Sequence, residues 1–321
     1  MPSLLITGAD KGLGLEAVRH VASTRSTDIV LAGRDEVSMK TVAAELRAQW
    51  GANVRTIAMD MSSLASVRQG AAAFGAMVDK GEVGPLRTLI LNAGAQFQAA
   101  PEYSVDGYEK TFATNCLGGF LLANLLAERI EDGGRVVWTA SGTHDPDTMD
   151  GKMVGKAVEP DAAALAQDGK RGKPLPGGVR YTTSKLCDIL YSYELDRRLK
   201  ARGRNVASIA YDPGFVPATG LTRTAPGFVQ SLIRTAPLRA LFKLLGVTPG
   251  DLAFSGAGLG RVAVDADFAG ATGRYIQSND RQLIEARSSK VSYDKGRAAK
   301  LWRDTARIVG LRPEETPLGV A

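Results

Sequence analysis

Cysteine and histidine are scarce. The 321 residues hold two of each: Cys116 and Cys187, His20 and His144. Two thiols exclude a disulfide framework and make the reducing cytoplasm the simplest compartment. No His/Cys cluster has ligand spacing, so no metal is expected. Aromatics are only 6% of the chain, and its 40 Lys and Arg are scattered among 34 Asp and Glu. A net charge of +6 spread in this way argues against a nucleic-acid partner and for a basic cofactor pocket. No run approaches the roughly 18 apolar residues of a membrane span. The opening MPSLLITGAD has no basic n-region, long apolar core or small-residue cleavage site, so no leader is expected.

What is present is alternation. LLIT (4–7), DIVLAG (28–33), VRTIAM (54–59), LRTLILN (86–92) and GRVVWTAS (134–141) read as strands. NVASIAYDPG (205–214) reads as a sixth strand and its exit loop. Helical patterns over about 12–24, 36–50, 63–79 and 106–130, and one beginning near 180, separate them. Continuous apolar strands alternating with amphipathic helices predict an α/β fold: a single Rossmann-type, doubly wound parallel sheet with helices on both faces. One domain over 1–321 is expected. Two segments break the rhythm. Residues 143–179 form a polar insertion, and 215–250 are rich in Pro, Gly, Leu and Arg. Both follow strand C-terminal ends, where ligands bind in open α/β sheets. The second contains FVQSLIRTAPLRALFKLL (228–245), apolar and basic. A lid over the substrate is the favoured reading. Contact with a membrane surface and ordinary helix packing are the others. A helical tail is expected over about 281–312.

TGADKGLG (7–14) joins the first strand to the first helix. Gly8, Gly12 and Gly14, with Thr7, Lys11 and Leu13 beside them, suit a tight turn. They let the backbone approach a pyrophosphate at the helix N-terminus. Arg34 follows the second strand directly, in LAGRD. Arg34 and Lys11 lie where an adenosine 2′-phosphate is expected, whereas Asp35 comes one residue late for a ribose-binding acid. NADP(H) is the expected cofactor.

YTTSKLCDIL (181–190) sets Tyr181 and Lys185 four positions apart, on one face of a helix. A free tyrosine has a pKa near about 10, and a nearby cation lowers it. The pair therefore suits proton transfer at neutral pH. Cys187 turns away from the Tyr181 face and reads as core.

Taken in order, these marks resemble the short-chain dehydrogenase/reductase family. They are the Gly-x-x-x-Gly-x-Gly loop, Asn92-Ala93-Gly94 ending the fourth strand, Asn115 in TNCLGG, Ser141, Tyr181 with Lys185, and Pro213-Gly214. The resemblance covers roughly residues 3–280. It implies an oxidoreductase in which Tyr181 exchanges a proton with a carbonyl oxygen, Ser141 fixes that oxygen, Lys185 holds the nicotinamide ribose and Asn115 supports a water relay. It also implies cofactor contacts from Asp60 and Met61, Asn92, Ala93 and Gly94, Tyr181 and Lys185, and Pro213, Gly214, Val216 and Thr219. The 40 positions between Ser141 and Tyr181 resemble the retinol-dehydrogenase and light-dependent protochlorophyllide-reductase branches. The Tyr181 helix and the tail SYDKGRAAKLWRDTARIVGL (292–311) are similar to the latter. Photoactive enzymes carry a cysteine after the Pro-Gly; here it is Phe215. The expected reaction is hydride transfer, in the dark, between the nicotinamide and a bulky, mostly apolar carbonyl or alcohol. A light-dependent C=C reductase and a catalytically silent NADP(H) sensor are the alternatives. Substrate, direction and oligomeric state stay open.

Overall fold

The apolar runs form a sheet in a computed structural model that describes residues 1–216 and 250–320. Its first six strands are β1 (Ser3–Thr7), β2 (Asp28–Gly33), β3 (Val54–Ala58), β4 (Leu86–Leu91), β5 (Ile130–Thr139) and β6 (Ala207–Asp212). They lie parallel in the order β3-β2-β1-β4-β5-β6. The order reverses between β1 and β4, which opens a crevice beyond the strand C-termini.

Each face of the sheet carries its own core. Helices α1 (Gly12–Thr24) and α2 (Glu36–Trp50) cover one face, with Val18, Val21, Met39 and Leu46 buried on Ile6 and Leu31. The other face carries α3 (Leu64–Asp79), a continuous helix of α4 (Lys110–Phe112), a π turn (Ala113–Leu117) and α5 (Gly118–Leu126), and the long α8 (Gly177–Ala201). The insertion contributes two short helices, α6 (Met149–Val154) and α7 (Ala162–Ala166).

Three elements were not read from the sequence. Helix α9 (Leu252–Val264) packs on α1. Gly256 and Gly260 permit the approach: a Cβ at Gly256 would lie 2.3 Å from Glu16 Cβ, and one at Gly260 2.7 Å from the Ala17 carbonyl. Glycines lower helix propensity, so the contact that requires them hides the helix. Strand β7 (Arg274–Asn279) extends the sheet in parallel beside β6, and β8 (Gln282–Ala286) returns antiparallel. Their two-residue turn is Asp280-Arg281, both at positive φ, a type I′ geometry without its usual glycine.

Helix α10 (Lys295–Ile308) and the segment after it cover α5 and α8. Trp302 packs edge-on against Phe120 at 4.7 Å, with the Arg198 guanidinium 4.8 Å from the indole. Tyr191 and Thr305 share a hydrogen bond of 2.7 Å, Thr316 donates to Asn124, and Arg198 donates to the carbonyls of Leu318 and Gly319. Burying an aromatic of this size stabilises by about 2–3 kcal/mol. Among the described residues no helix is long and apolar enough to cross a membrane.

Candidate active site

The glycine loop opens α1 at the crevice. Gly8 and Gly12 have φ of +68° and +60°. Helices α2 and α3, which also follow strands, are capped by the side chains of Asp35 and Ser63, whereas Lys11 at the start of α1 provides no side-chain cap. The first amides of α1 are thus left for an anion. Thr7 and Asn92 knit the ends of β1 and β4 together. Thr7 Oγ1 accepts from the amides of Asn92 and Ala93, and Asn92 Nδ2 donates to the carbonyls of Thr7 and Gly8.

At the end of β2, Arg34 is exposed. Asp35 accepts from the Ser38 amide and hydroxyl, and these bonds hold its carboxyl below the usual range. It is committed to capping α2 instead of facing a ribose. Lys11 is exposed and pairs with Asp10 at 3.0 Å. Asp60 Oδ1 accepts from the Ser62 amide and hydroxyl, while Ser63 caps α3. The Met61 side chain is in the core. Val216 is buried beside the Pro213-Gly214 turn, where Gly214 has φ +70°. Thr219 and residues 228–245 lie outside the described residues.

The Tyr181 helix meets three other elements. Lys185 Nζ donates to the Thr139 carbonyl at 2.7 Å, at the end of β5, and to Asp188 Oδ2 at 3.0 Å. It sits 5.9 Å from the Tyr181 ring centroid. Burial, the largest influence, works against its charge, but Asp188, Tyr181 and Cys116 together hold Lys185 above its ordinary pKa. An ammonium has three N–H groups, so one remains for a ligand or for Tyr181. Asn115 lies in the π turn, a distortion common at functional sites. Its amide clamps both backbone groups of Ala95, at 2.8 and 3.1 Å, and donates to Ser184 Oγ at 2.9 Å. A Cβ at Gly94 would be 3.6 Å from both Asn115 Oδ1 and Lys185 Nζ. Lys185, Asn115 and the Asn92-Ala93-Gly94 loop therefore converge. Buried Arg180 donates to the carbonyls of Phe97 and Ala99, at 2.8 and 2.7 Å, fixing the same loop from the residue before Tyr181.

Ser141 follows β5 and accepts from the amide and hydroxyl of Thr143, at 3.4 and 3.0 Å. Its own O–H is left to donate. Behind it stands His144, a residue the sequence offered only as a reason to doubt zinc. The Ser289 amide donates to Nε2 at 2.9 Å, so Nδ1 carries the proton and donates to the Ser141 carbonyl at 2.7 Å. Burial holds His144 below its ordinary pKa. The unfolded chain then takes up a proton that the fold refuses. Stability should fall as pH drops below about 6.5, by up to about 1.4 kcal/mol per pH unit until the folded His144 titrates. Thermal melts from neutral pH to about pH 5 should show a steeper loss in the wild type than in His144→Gln. Equal slopes would count against this account. Asp212 was also missed. It is fully buried and accepts from Tyr275, Gln277 and the Gly214 amide, at 2.7, 2.8 and 2.9 Å, which shapes the Pro213-Gly214 turn.

Comparison with known proteins follows the same lines. A family model described as short chain dehydrogenase matches residues 3–148. A polyprenol dehydrogenase of Mus musculus is 32% identical over 95% of this chain and 83% of its own. The chain belongs to the short-chain dehydrogenase/reductase family. A chloroplastic protochlorophyllide reductase of Daucus carota is 29% identical over 96% of this chain and 78% of its own. Among solved structures, a blue fluorescent protein from a metagenomic library, in complex with NADPH, matches with a TM-score of 0.61 at 22% identity, covering 87% of this chain and 96% of that one. The protein is thus an oxidoreductase of this family on a Rossmann fold.

Proposed function

We propose that the protein is an NADP(H)-dependent oxidoreductase acting on a bulky, mostly apolar carbonyl or alcohol, with Tyr181 as general acid and base. The observation that carries this reading is the face of α8. It sets the Tyr181 phenol beside a buried, charged Lys185 that keeps one N–H uncommitted. In reduction, Tyr181 Oη gives its proton to the carbonyl oxygen; in oxidation it takes the proton from the alcohol. Ser141 donates its O–H to the same oxygen and fixes its position. Asn115 acts through backbone, holding the loop that carries Gly94 against Lys185.

NADP(H), when bound, supplies or takes up the hydride. Gly8, Gly12, Leu13 and Gly14 would cradle its pyrophosphate, as the uncapped start of α1 suits. Arg34 and Lys11 would hold the 2′-phosphate, and Asp60 and Met61 would flank the adenine. Thr7 and the 92–94 loop, Lys185, and Pro213, Gly214 and Val216 would line the nicotinamide half. The engagement of Asp35 with α2 favours NADP(H) over NAD(H). Loss of a charge-assisted contact costs about 1.5–3 kcal/mol. Arg34→Ala should therefore raise the NADPH KM by roughly 10–100-fold and leave the NADH KM nearly unchanged. Parallel initial-rate measurements with both cofactors check this; equal changes would defeat the assignment.

Relatives named for a polyprenol and for protochlorophyllide support a large apolar substrate. A panel of bulky aldehydes, ketones and quinones, with NADPH oxidation followed in the dark, tests the reading. The protochlorophyllide relative also keeps a light-driven C=C reduction in view. Silence in the dark with turnover of that pigment under light would replace the carbonyl reading.

A further inference from the structure

Gln96 breaks the rule that buried polar groups are paired. Its Oε1 and Nε2 are both buried, and neither has a hydrogen-bond partner among the described residues. A loose backbone does not account for this, because the chain is held on both sides. Asn115 bonds both backbone groups of Ala95, and Arg180 takes the carbonyls of Phe97 and Ala99. A Cβ at Gly177 would lie 2.5 Å from the Phe97 carbonyl oxygen, so the segment also rests on the start of α8, one turn before Tyr181.

The direction of the side chain follows from the backbone. Bonds at Ala95, Phe97 and Ala99, every second residue, mark an extended segment, in which side chains alternate between two faces. Phe97 turns its ring toward Lys110, whose Nζ lies 5.1 Å from the centroid. Gln96 therefore projects to the opposite face, which it shares with Gly94. At Gly94 that face looks onto Lys185 Nζ and Asn115 Oδ1, each 3.6 Å from the Cβ position. We infer that Gln96 is a specificity-determining residue: its amide is kept for a second polar group of the substrate, a hydroxyl or keto oxygen beside the carbonyl that reacts. Oε1 accepts from a hydroxyl, and Nε2 donates to a keto oxygen. A substrate that is apolar throughout leaves the amide buried and unpaired. One with a polar group at this place satisfies it, and a site built to bond such a group rejects the analogue that lacks it.

This role deepens the carbonyl reading and rests on it. The probes are deoxybenzoin, benzoin and benzil, ketones of one skeleton that differ only at the carbon next to the carbonyl. That carbon bears hydrogens, a hydroxyl or a second keto oxygen. Gln96→Met keeps the length of the side chain and removes the amide. Its kcat/KM in NADPH oxidation should fall by roughly tenfold for benzoin or benzil, and by less than about twofold for deoxybenzoin. A loss for benzoin alone marks a hydroxyl donating to Oε1, and a loss for benzil alone marks a keto oxygen accepting from Nε2. Equal changes with all the probes overturn the proposal. Free Gln96→Met should also melt no lower than the wild type, since it gives up no bond within the described residues. A fall of several degrees, repeated in the shorter Gln96→Leu, shows an amide bonded within the fold and likewise overturns the proposal. Failure of the carbonyl reading shows instead in the wild type, as no Tyr181-dependent turnover of any probe, and the melts still judge Gln96.

Discussion

Tyr181→Phe should lower kcat by roughly 10²–10⁴-fold, the usual contribution of a positioned general acid. The substitution removes one oxygen and keeps the ring. Lys185, 5.9 Å from the ring centroid, retains its bonds to Thr139 and Asp188 and hence its place. NADPH binding, followed by fluorescence titration, should therefore survive while turnover is lost. That split separates chemistry from binding: an interaction made only in the transition state lowers kcat without weakening the ground state. Near-normal turnover of any bulky carbonyl by the variant would refute Tyr181 as the proton donor.

Gly14→Ala is the second large effect. A Cβ there would sit 2.4 Å from the Gly8 carbonyl oxygen, 2.7 Å from Asn92 Nδ2 and 2.8 Å from Ala9 Cα. Two of these neighbours are backbone, so no side-chain rotation relieves the clash. The third is the amide that ties the ends of β1 and β4. The loop must open. The expected outcome is a stability loss of about 1–3 kcal/mol, in line with overpacking elsewhere. NADPH affinity should fall by roughly tenfold or more, equivalent to at least about 1.4 kcal/mol. Gly12 provides the contrast. It has φ +60°, but nothing lies within 4 Å of its Cβ position. Asn tolerates that backbone, so Gly12→Asn should cost about 1 kcal/mol or less. Melting curves and NADPH titrations of the two variants check the pair. A Gly14→Ala protein as stable and as tight-binding as the wild type would show that the loop has room it lacks here.

The parts legible in the sequence are those whose signals are local. Apolar runs marked β1 to β6, and the glycine spacing marked the start of α1, because a strand's burial and a turn's φ are imposed by neighbours in the chain. Boundaries shifted where tertiary contacts intervene. The helix expected over 106–130 runs from Lys110 to Leu126 around a π turn, and β5 begins at Ile130, ahead of the Gly133 bend at φ +81°. Helix α9 was hidden by the glycines that let it reach α1. The β7–β8 hairpin was hidden by an Asp-Arg turn, since the expected signal is Asn-Gly or Asp-Gly. His144 and Asp212 carry no motif. Each gains its role from partners that the fold brings close: Ser289 lies 145 positions from His144, and Tyr275 63 positions from Asp212.

The covering of α5 and α8 by α10 has a consequence for the order in which the chain is made. Synthesis runs from the N-terminus, and strands β1 to β6 with the glycine loop are in hand once β6 has emerged. Phe120 and Tyr191 then still lack Trp302 and Thr305, and Asn124 lacks Thr316. A nascent chain of this protein therefore passes through a stage with its cofactor crevice largely framed and apolar surface bare where α9 and α10 have yet to pack, the kind of surface on which growing chains associate wrongly or are held by chaperones. The last described residues act as a latch, and the period before it closes is when the protein is most vulnerable.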